Sequence, residues 1–141
     1  MTQKLKMKRF TLLMVCLAAA QWGLIPASAG DIKTQASVAT ALQQQKPITL
    51  IDVRTREEFA QRHIPGAINI PYTELDQRIA ELDNYRDSEM IVYCRSGRRA
   101  ELALEILGTH ELENTILLEG HMIGWQSAGL PIEQNTNTKD P

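Results

Sequence analysis

At 141 residues, the chain is long enough to build one hydrophobic core and too short for two. Its formal net charge is −2, but Lys4, Lys6, Lys8 and Arg9 supply four of the fifteen basic residues while the first 29 positions hold none of the seventeen acidic ones, so the rest of the chain stands at about −6. So acidic a body is a poor ligand for nucleic acid or an anionic membrane surface, and neither is expected as a partner.

In chain order, the basic head precedes an apolar run, residues 11–20, and then Ala27-Ser28-Ala29. Small residues at −3 and −1 are what a signal peptidase requires, so residues 1–29 are expected to be a cleavable export signal, with Gly30 as the new N-terminus of a periplasmic protein of 112 residues. Gln21 interrupts the run before it reaches the roughly 20 apolar residues that span a bilayer, so the protein is not expected to stay in the membrane. Val15 stands before Cys16 where a lipoprotein signal would have a small residue. Cleavage removes Cys16 and leaves Cys94 as the lone thiol. With no disulfide partner in an oxidising compartment, an inert cysteine would be a liability, which makes Cys94 a candidate for chemistry.

Past the signal, apolar runs alternate with helical patterns. Val38, Ala41 and Leu42 share a helix face; residues 48–53 form a strand; Thr55 with Glu58 three positions on reads as a capping box opening a second helix. Residues 67–70 form a short strand between Pro65 and Pro71. Thr73 and Asp76 resemble another capping box, before a helix with Leu75, Ile79 and Leu82 on one side. A strand at 90–93, a helix striped by Ala100, Ala103, Leu104 and Leu107, and a strand at 115–118 complete the pattern. The strand runs are Ile, Val and Leu without alternation, as in parallel sheets buried on both faces. These elements predict an α/β fold: one three-layer domain, residues 30–133, with a central, mainly parallel sheet covered by helices on both faces. Residues 134–141 are polar, with nothing to bury, and are expected to fray.

In such folds ligands sit beyond the carboxyl ends of the strands, and Cys94 directly follows one. The loop Cys94-Arg95-Ser96-Gly97-Arg98-Arg99 leads into a helix. It is expected to curl its N–H groups around the sulfur, with Gly97 free to take a positive φ. Those donors, the positive helix end and the guanidinium charges of Arg95, Arg98 and Arg99 all favour a thiolate and would hold an anionic substrate.

This loop resembles the active-site loop of rhodanese domains. Two flanking segments are similar to the signatures that bracket such domains. One runs from Ile51-Asp52-Val53-Arg54 through Glu58-Phe59 to His63-Ile64-Pro65-Gly66-Ala67-Ile68-Asn69-Ile70-Pro71; the other runs from Glu119-Gly120 through Trp125 to Gly129-Leu130-Pro131. The resemblance covers residues 37–133 and, with the signal, points to the small periplasmic single-domain rhodaneses of the phage-shock-protein-E type. Glu119 stands where the family usually has the first of two glycines, which puts the shape of that turn in question.

The resemblance implies a thiosulfate sulfurtransferase: Cys94 is the nucleophile and becomes a persulfide, Arg95, Ser96, Gly97, Arg98 and Arg99 bind the anionic donor, and the outer sulfur passes to cyanide or a thiol without a cofactor. Asp52 and Arg54, at a strand end, are expected to support the site as an ion pair rather than act on substrate. No spacing joins His63 or His121 to Cys94 as a general base, no metal-ligand cluster is present, and Trp125 is expected in the core or a pocket wall. Cysteine phosphatases and arsenate reductases also set a thiolate in an anion-binding loop. Their pattern has five residues between cysteine and arginine; here four separate Cys94 from Arg99, and residue 100 is alanine. A persulfide carrier or binding module serving a protein partner is the other alternative.

Overall fold

A computed structural model describes residues 32–135; the expected export signal, 1–29, and residues 136–141 of the polar tail lie outside them. Five strands form one parallel sheet: β1 (Ile32–Lys33), β2 (Thr49–Asp52), β3 (Ile68–Asn69), β4 (Met90–Tyr93) and β5 (Thr115–Leu118), in the order β1-β5-β4-β2-β3. Three α-helices connect strands, α1 (Gln35–Gln43), α2 (Arg56–Gln61) and α3 (Arg98–Thr109), and α4 (His121–Ser127) follows β5.

Every residue of β2 and β4 is buried, and successive side chains divide between two clusters. Ile51, Val53, Met90, Val92 and Cys94 pack with Ala100, Ala103 and Leu107 of α3 and with Leu75 and Leu82. Leu50, Ile91, Tyr93, Ile116 and Leu118 pack on the opposite face with Val38 and Ala39 of α1 and with Met122 and Trp125 of α4. This two-sided burial explains why the strand sequences do not alternate, and it makes the domain the three-layer α/β sandwich expected of them. Trp125 is fully buried, and its indole N–H donates to the Pro131 carbonyl at 2.7 Å.

Three local expectations are corrected. Leu75, Ile79 and Leu82 do face the core, but on a run of turns followed by a 3₁₀ helix, Ile79–Tyr85. From Ile79 on, the core contacts are Ile79, Leu82 and Tyr85, three residues apart, which is the repeat of a 3₁₀ turn. Thr73 lies inside those turns rather than capping a helix, and Asp76 instead meets His110 Nε2 at 2.7 Å. The tail is tied down through residue 135: His63 and Glu133 exchange backbone hydrogen bonds, and Asn135 N–H donates to the Ala60 carbonyl. Strand β1 was not foreseen; it is two residues long, and its Ile32 is exposed.

The order of the strands fixes the place of the site. β4 lies at the centre, with Tyr93 opposite Asp52 of β2, and the chain moves outward in opposite directions on either side of that pair. The crevice beyond their carboxyl ends is where doubly wound sheets bind ligands. The residues that follow there are Cys94 on one strand and Val53 and Arg54 on the other.

Candidate active site

Cys94 is 1% exposed and sits between β4 and α3. Gly97 ends the loop as the N-cap of α3 with φ +120° and ψ −49°, a conformation that favours glycine, and a Cβ on it would lie 3.0 Å from His121 Nε2. This turn brings the Gly97 N–H onto Cys94 Sγ at 3.1 Å. Among the described residues, the N–H groups of Arg95, Ser96, Arg98, Arg99 and Ala100 have no protein acceptor. The last three are the orphan donors of a helix's first turn, so the sulfur lies at the positive end of α3.

The first turn of α4 grips the loop. Met122 N–H donates to the Cys94 carbonyl at 3.0 Å, Ile123 N–H donates to the Arg95 carbonyl at 3.1 Å, and Cys94 N–H donates to His121 Nδ1 at 3.5 Å. To turn into this position, Gly120 and His121 adopt φ of +64° and +51°. Glu119 is not left-handed; its N–H donates to the Lys33 carbonyl and its carbonyl accepts from the Gln35 side chain at 2.8 Å. The residue departing from glycine where the backbone favours it is therefore His121, not Glu119. A left-handed backbone costs an L-residue about 1–2 kcal/mol. Burial holds the imidazole's pKa below its ordinary value, with Glu101 opposing.

The three loop arginines are not equivalent. Arg99 makes a two-pronged pair with Glu58, at 2.6 and 2.9 Å. Glu58 is in turn fixed by the capping box at the start of α2: Thr55 Oγ1 accepts from Glu58 N–H, and the Glu58 carboxylate accepts from Thr55 N–H. The hydrogen bond from Arg99, first among the causes, holds the Glu58 carboxyl down to about 2. Arg99 is favoured as a cation chiefly by its hydrogen bond to Glu58, against the effect of burial, and additionally by Cys94. Arg95 and Arg98 are exposed and, among the described residues, form no side-chain hydrogen bond or ion pair; Ser96 is exposed as well. Arg95 lines a polar cleft of about 890 Å³ together with Arg54, Glu58, Arg62, Met122 and Ile123.

Asp52 and Arg54 form a buried pair at the end of β2. Arg54 Nη2 meets Asp52 Oδ2 at 2.6 Å, Arg54 N–H donates to Oδ1 at 2.9 Å, and Nη2 also donates to the Arg62 carbonyl. The Arg54 guanidinium lies 5.9 Å from the centre of the Tyr93 ring. Neither side chain hydrogen-bonds to Cys94. The pair ties the end of β2 to the Arg62 carbonyl beside the Tyr93 ring. His63 is engaged elsewhere, stacked on Phe59 at 3.8 Å with Nδ1 2.8 Å from the Phe59 carbonyl oxygen.

Sequence reasoning missed the His121 contact, the Glu58–Arg99 pair and the Gln35 tether. Only Glu58 carried a local signal, as the third residue of a capping box, and that signal accounts for its contact with Thr55 but not for the one with Arg99.

Residues 34–128 match the family model described as "Rhodanese-like domain". A protein of Allochromatium vinosum named "Sulfurtransferase" is 33% identical over 96 residues, 68% of this chain and 88% of that protein. "Thiosulfate sulfurtransferase PspE" of Escherichia coli is 46% identical over 57 residues, 40% of this chain and 55% of that protein. The crystal structure of a thiosulfate sulfurtransferase from Pseudomonas aeruginosa superimposes with a TM-score of 0.66 at 29% identity, over 74% of this chain and 20% of that one. Two further curated relatives are larger, and the chain spans 38% and 52% of their lengths.

The Glu58–Arg99 pair gives the fold a defined acid sensitivity. Because the folded-state pKa of Glu58 lies below its ordinary 4.5, its contribution to stability is fully present above pH 4.5 and is lost as pH falls toward 2. Urea midpoints measured at pH 6 and pH 2.5 should therefore drop further in the wild type than in Glu58→Gln. Equal drops would mean that the pair does not couple to folding.

Proposed function

The chain belongs to the rhodanese-like domain family, and on that premise we propose that it is a thiosulfate sulfurtransferase working through a persulfide on Cys94. The observation that carries this reading is the Gly97 N–H held on Cys94 Sγ at 3.1 Å, at the N-terminal end of α3.

In the first half-reaction the Cys94 thiolate attacks the outer sulfur of thiosulfate. The bond between the two thiosulfate sulfurs breaks, and sulfite leaves with the electron pair. Negative charge then lies on the outer sulfur of the persulfide, where the unpaired N–H groups of the loop are the nearest fixed donors available to it. In the second half-reaction cyanide or a thiolate attacks that outer sulfur, the persulfide bond breaks, and the Cys94 thiolate returns. No redox partner is consumed when cyanide accepts the sulfur and leaves as thiocyanate.

Division of labour among the arginines follows from their partners. Arg95 and Arg98, exposed and unpaired among the described residues, attract the divalent donor against the protein's net negative charge. Arg99, fixed by Glu58, supplies charge at the sulfur itself. A phosphatase is disfavoured by loop length: four residues, not five, separate Cys94 from Arg99, and residue 100 is alanine. We also read the protein as exported to the periplasm, from the basic head and Ala27-Ser28-Ala29, so protein recovered from that compartment should begin at Gly30. N-terminal sequencing that finds residues 1–29 retained would contradict this.

Purified protein given thiosulfate and cyanide should form thiocyanate, and Cys94→Ser should form none. Arg95→Gln and Arg98→Gln should each raise the thiosulfate KM by roughly three- to fivefold, an effect that added salt erases, with kcat little changed. Arg99→Gln should instead lower kcat by roughly tenfold, because it removes the cation that Glu58 orients. Identical profiles for the three variants would remove this division of roles.

A further inference from the structure

We infer that His121 is a positioning residue for the Cys94 loop: its imidazole, carried on a left-handed backbone, wedges the loop so that the Gly97 N–H stays on the sulfur. His121 lies 27 residues from Cys94 in sequence and does not touch Sγ; its two ring nitrogens face the two ends of the curl. Nδ1 accepts from the Cys94 N–H at 3.5 Å, and Nε2 lies where a Cβ on Gly97 would come within 3.0 Å. A ring accepting at Nδ1 carries its proton at Nε2, so the neutral form meets the Cys94 N–H with a lone pair. A protonated ring would set donor against donor there.

Three features separate this from simple space filling. His121 has φ +51°, a conformation that glycine would adopt without strain, and, unlike the exposed Gln45 and Glu111 with similar φ, it is buried. It is 9% exposed, and the contacts nearest its ring nitrogens are loop backbone. The next two residues donate backbone hydrogen bonds to the Cys94 and Arg95 carbonyls, so the ring is one of three adjoining contacts on two residues of the loop. Histidine and asparagine are among the side chains that best tolerate left-handed backbone, and asparagine places an acceptor close to where histidine has Nδ1.

The charged groups around the ring are consistent with a neutral role. Glu101 of α3 faces it and weakly favours protonation, and burial outweighs that effect. The Cys94 backbone N–H meets it at Nδ1.

The test is a comparison of His121→Gly with His121→Asn. Glycine relieves the backbone but removes the wedge; asparagine restores an acceptor. Hydrogen exchange at the Cys94 and Gly97 amides, read by NMR, should be at least tenfold faster in His121→Gly than in the wild type and within about threefold of wild type in His121→Asn. This readout does not depend on the proposed reaction. Where thiosulfate turnover is present, on which the functional half of the inference rests, kcat should follow the same order while KM moves less than twofold. Wild-type exchange and kcat in a folded His121→Gly would overturn the inference, as would a His121→Asn no better than His121→Gly at equal melting temperature. Should His121→Gly not fold, His121→Ala replaces it with the same two outcomes. Protected amides in a wild type that turns over no thiosulfate would retain the positioning role and contradict the sulfurtransferase reading alone.

Discussion

A thiol that is 1% exposed has almost no water with which to share a negative charge, so the protein must supply what solvent cannot. The Gly97 N–H, 3.1 Å from Cys94 Sγ, is the contact through which it does so. The surrounding structure serves that contact. The positive φ of Gly97 permits the turn, α3 begins at the turn and contributes its unpaired N–H groups, and α4 holds the loop from beneath by two backbone hydrogen bonds and the His121 ring. The central place of β4 in the sheet, with Cys94 packed among Val53, Val92 and Ala100, puts the sulfur against a rigid floor.

Backbone donors and arginines act at different ranges. A buried N–H group loses little to screening, whereas exposed guanidinium groups are screened over a Debye length of about 8 Å at physiological salt. On the proposed function, the loop's amides would stabilise charge at the sulfur, while Arg95 and Arg98 would mainly gather anions from solution. Arg99 joins the two roles. It is half-buried and oriented by Glu58, and the Thr55–Glu58 capping box that starts α2 also fixes the carboxylate that aims it. A device that begins a six-residue helix is thereby coupled to an active-site cation on another helix.

Much of this was legible in the sequence where the signal is local. The runs that became β2, β4 and β5 announce their double burial by composition, the α3 stripe by its spacing, and the loop by one glycine among three arginines after a strand. The fold class followed from their alternation. What escaped depends on distant partners. β1 is two residues long and exists through its ladder with β5. The 3₁₀ segment shares an apolar stripe with an α-helix until its three-residue spacing is compared with the core. His121 joins Cys94 across 27 residues and Arg99 joins Glu58 across 41, so no local pattern carries either contact. The left-handed pair falls at Gly120–His121, one position later than the expected glycine pair, because Glu119 is engaged by Lys33 and Gln35.

The central claim is that the Cys94 sulfur, held by its own loop, carries the transferred atom. Intact-mass measurement of the protein after brief incubation with thiosulfate, followed by peptide mapping, tests it most directly. The account predicts a gain of one sulfur, about 32 Da, located on the peptide that contains Cys94 and removed by cyanide. No gain, or an equal gain in Cys94→Ser, would contradict it.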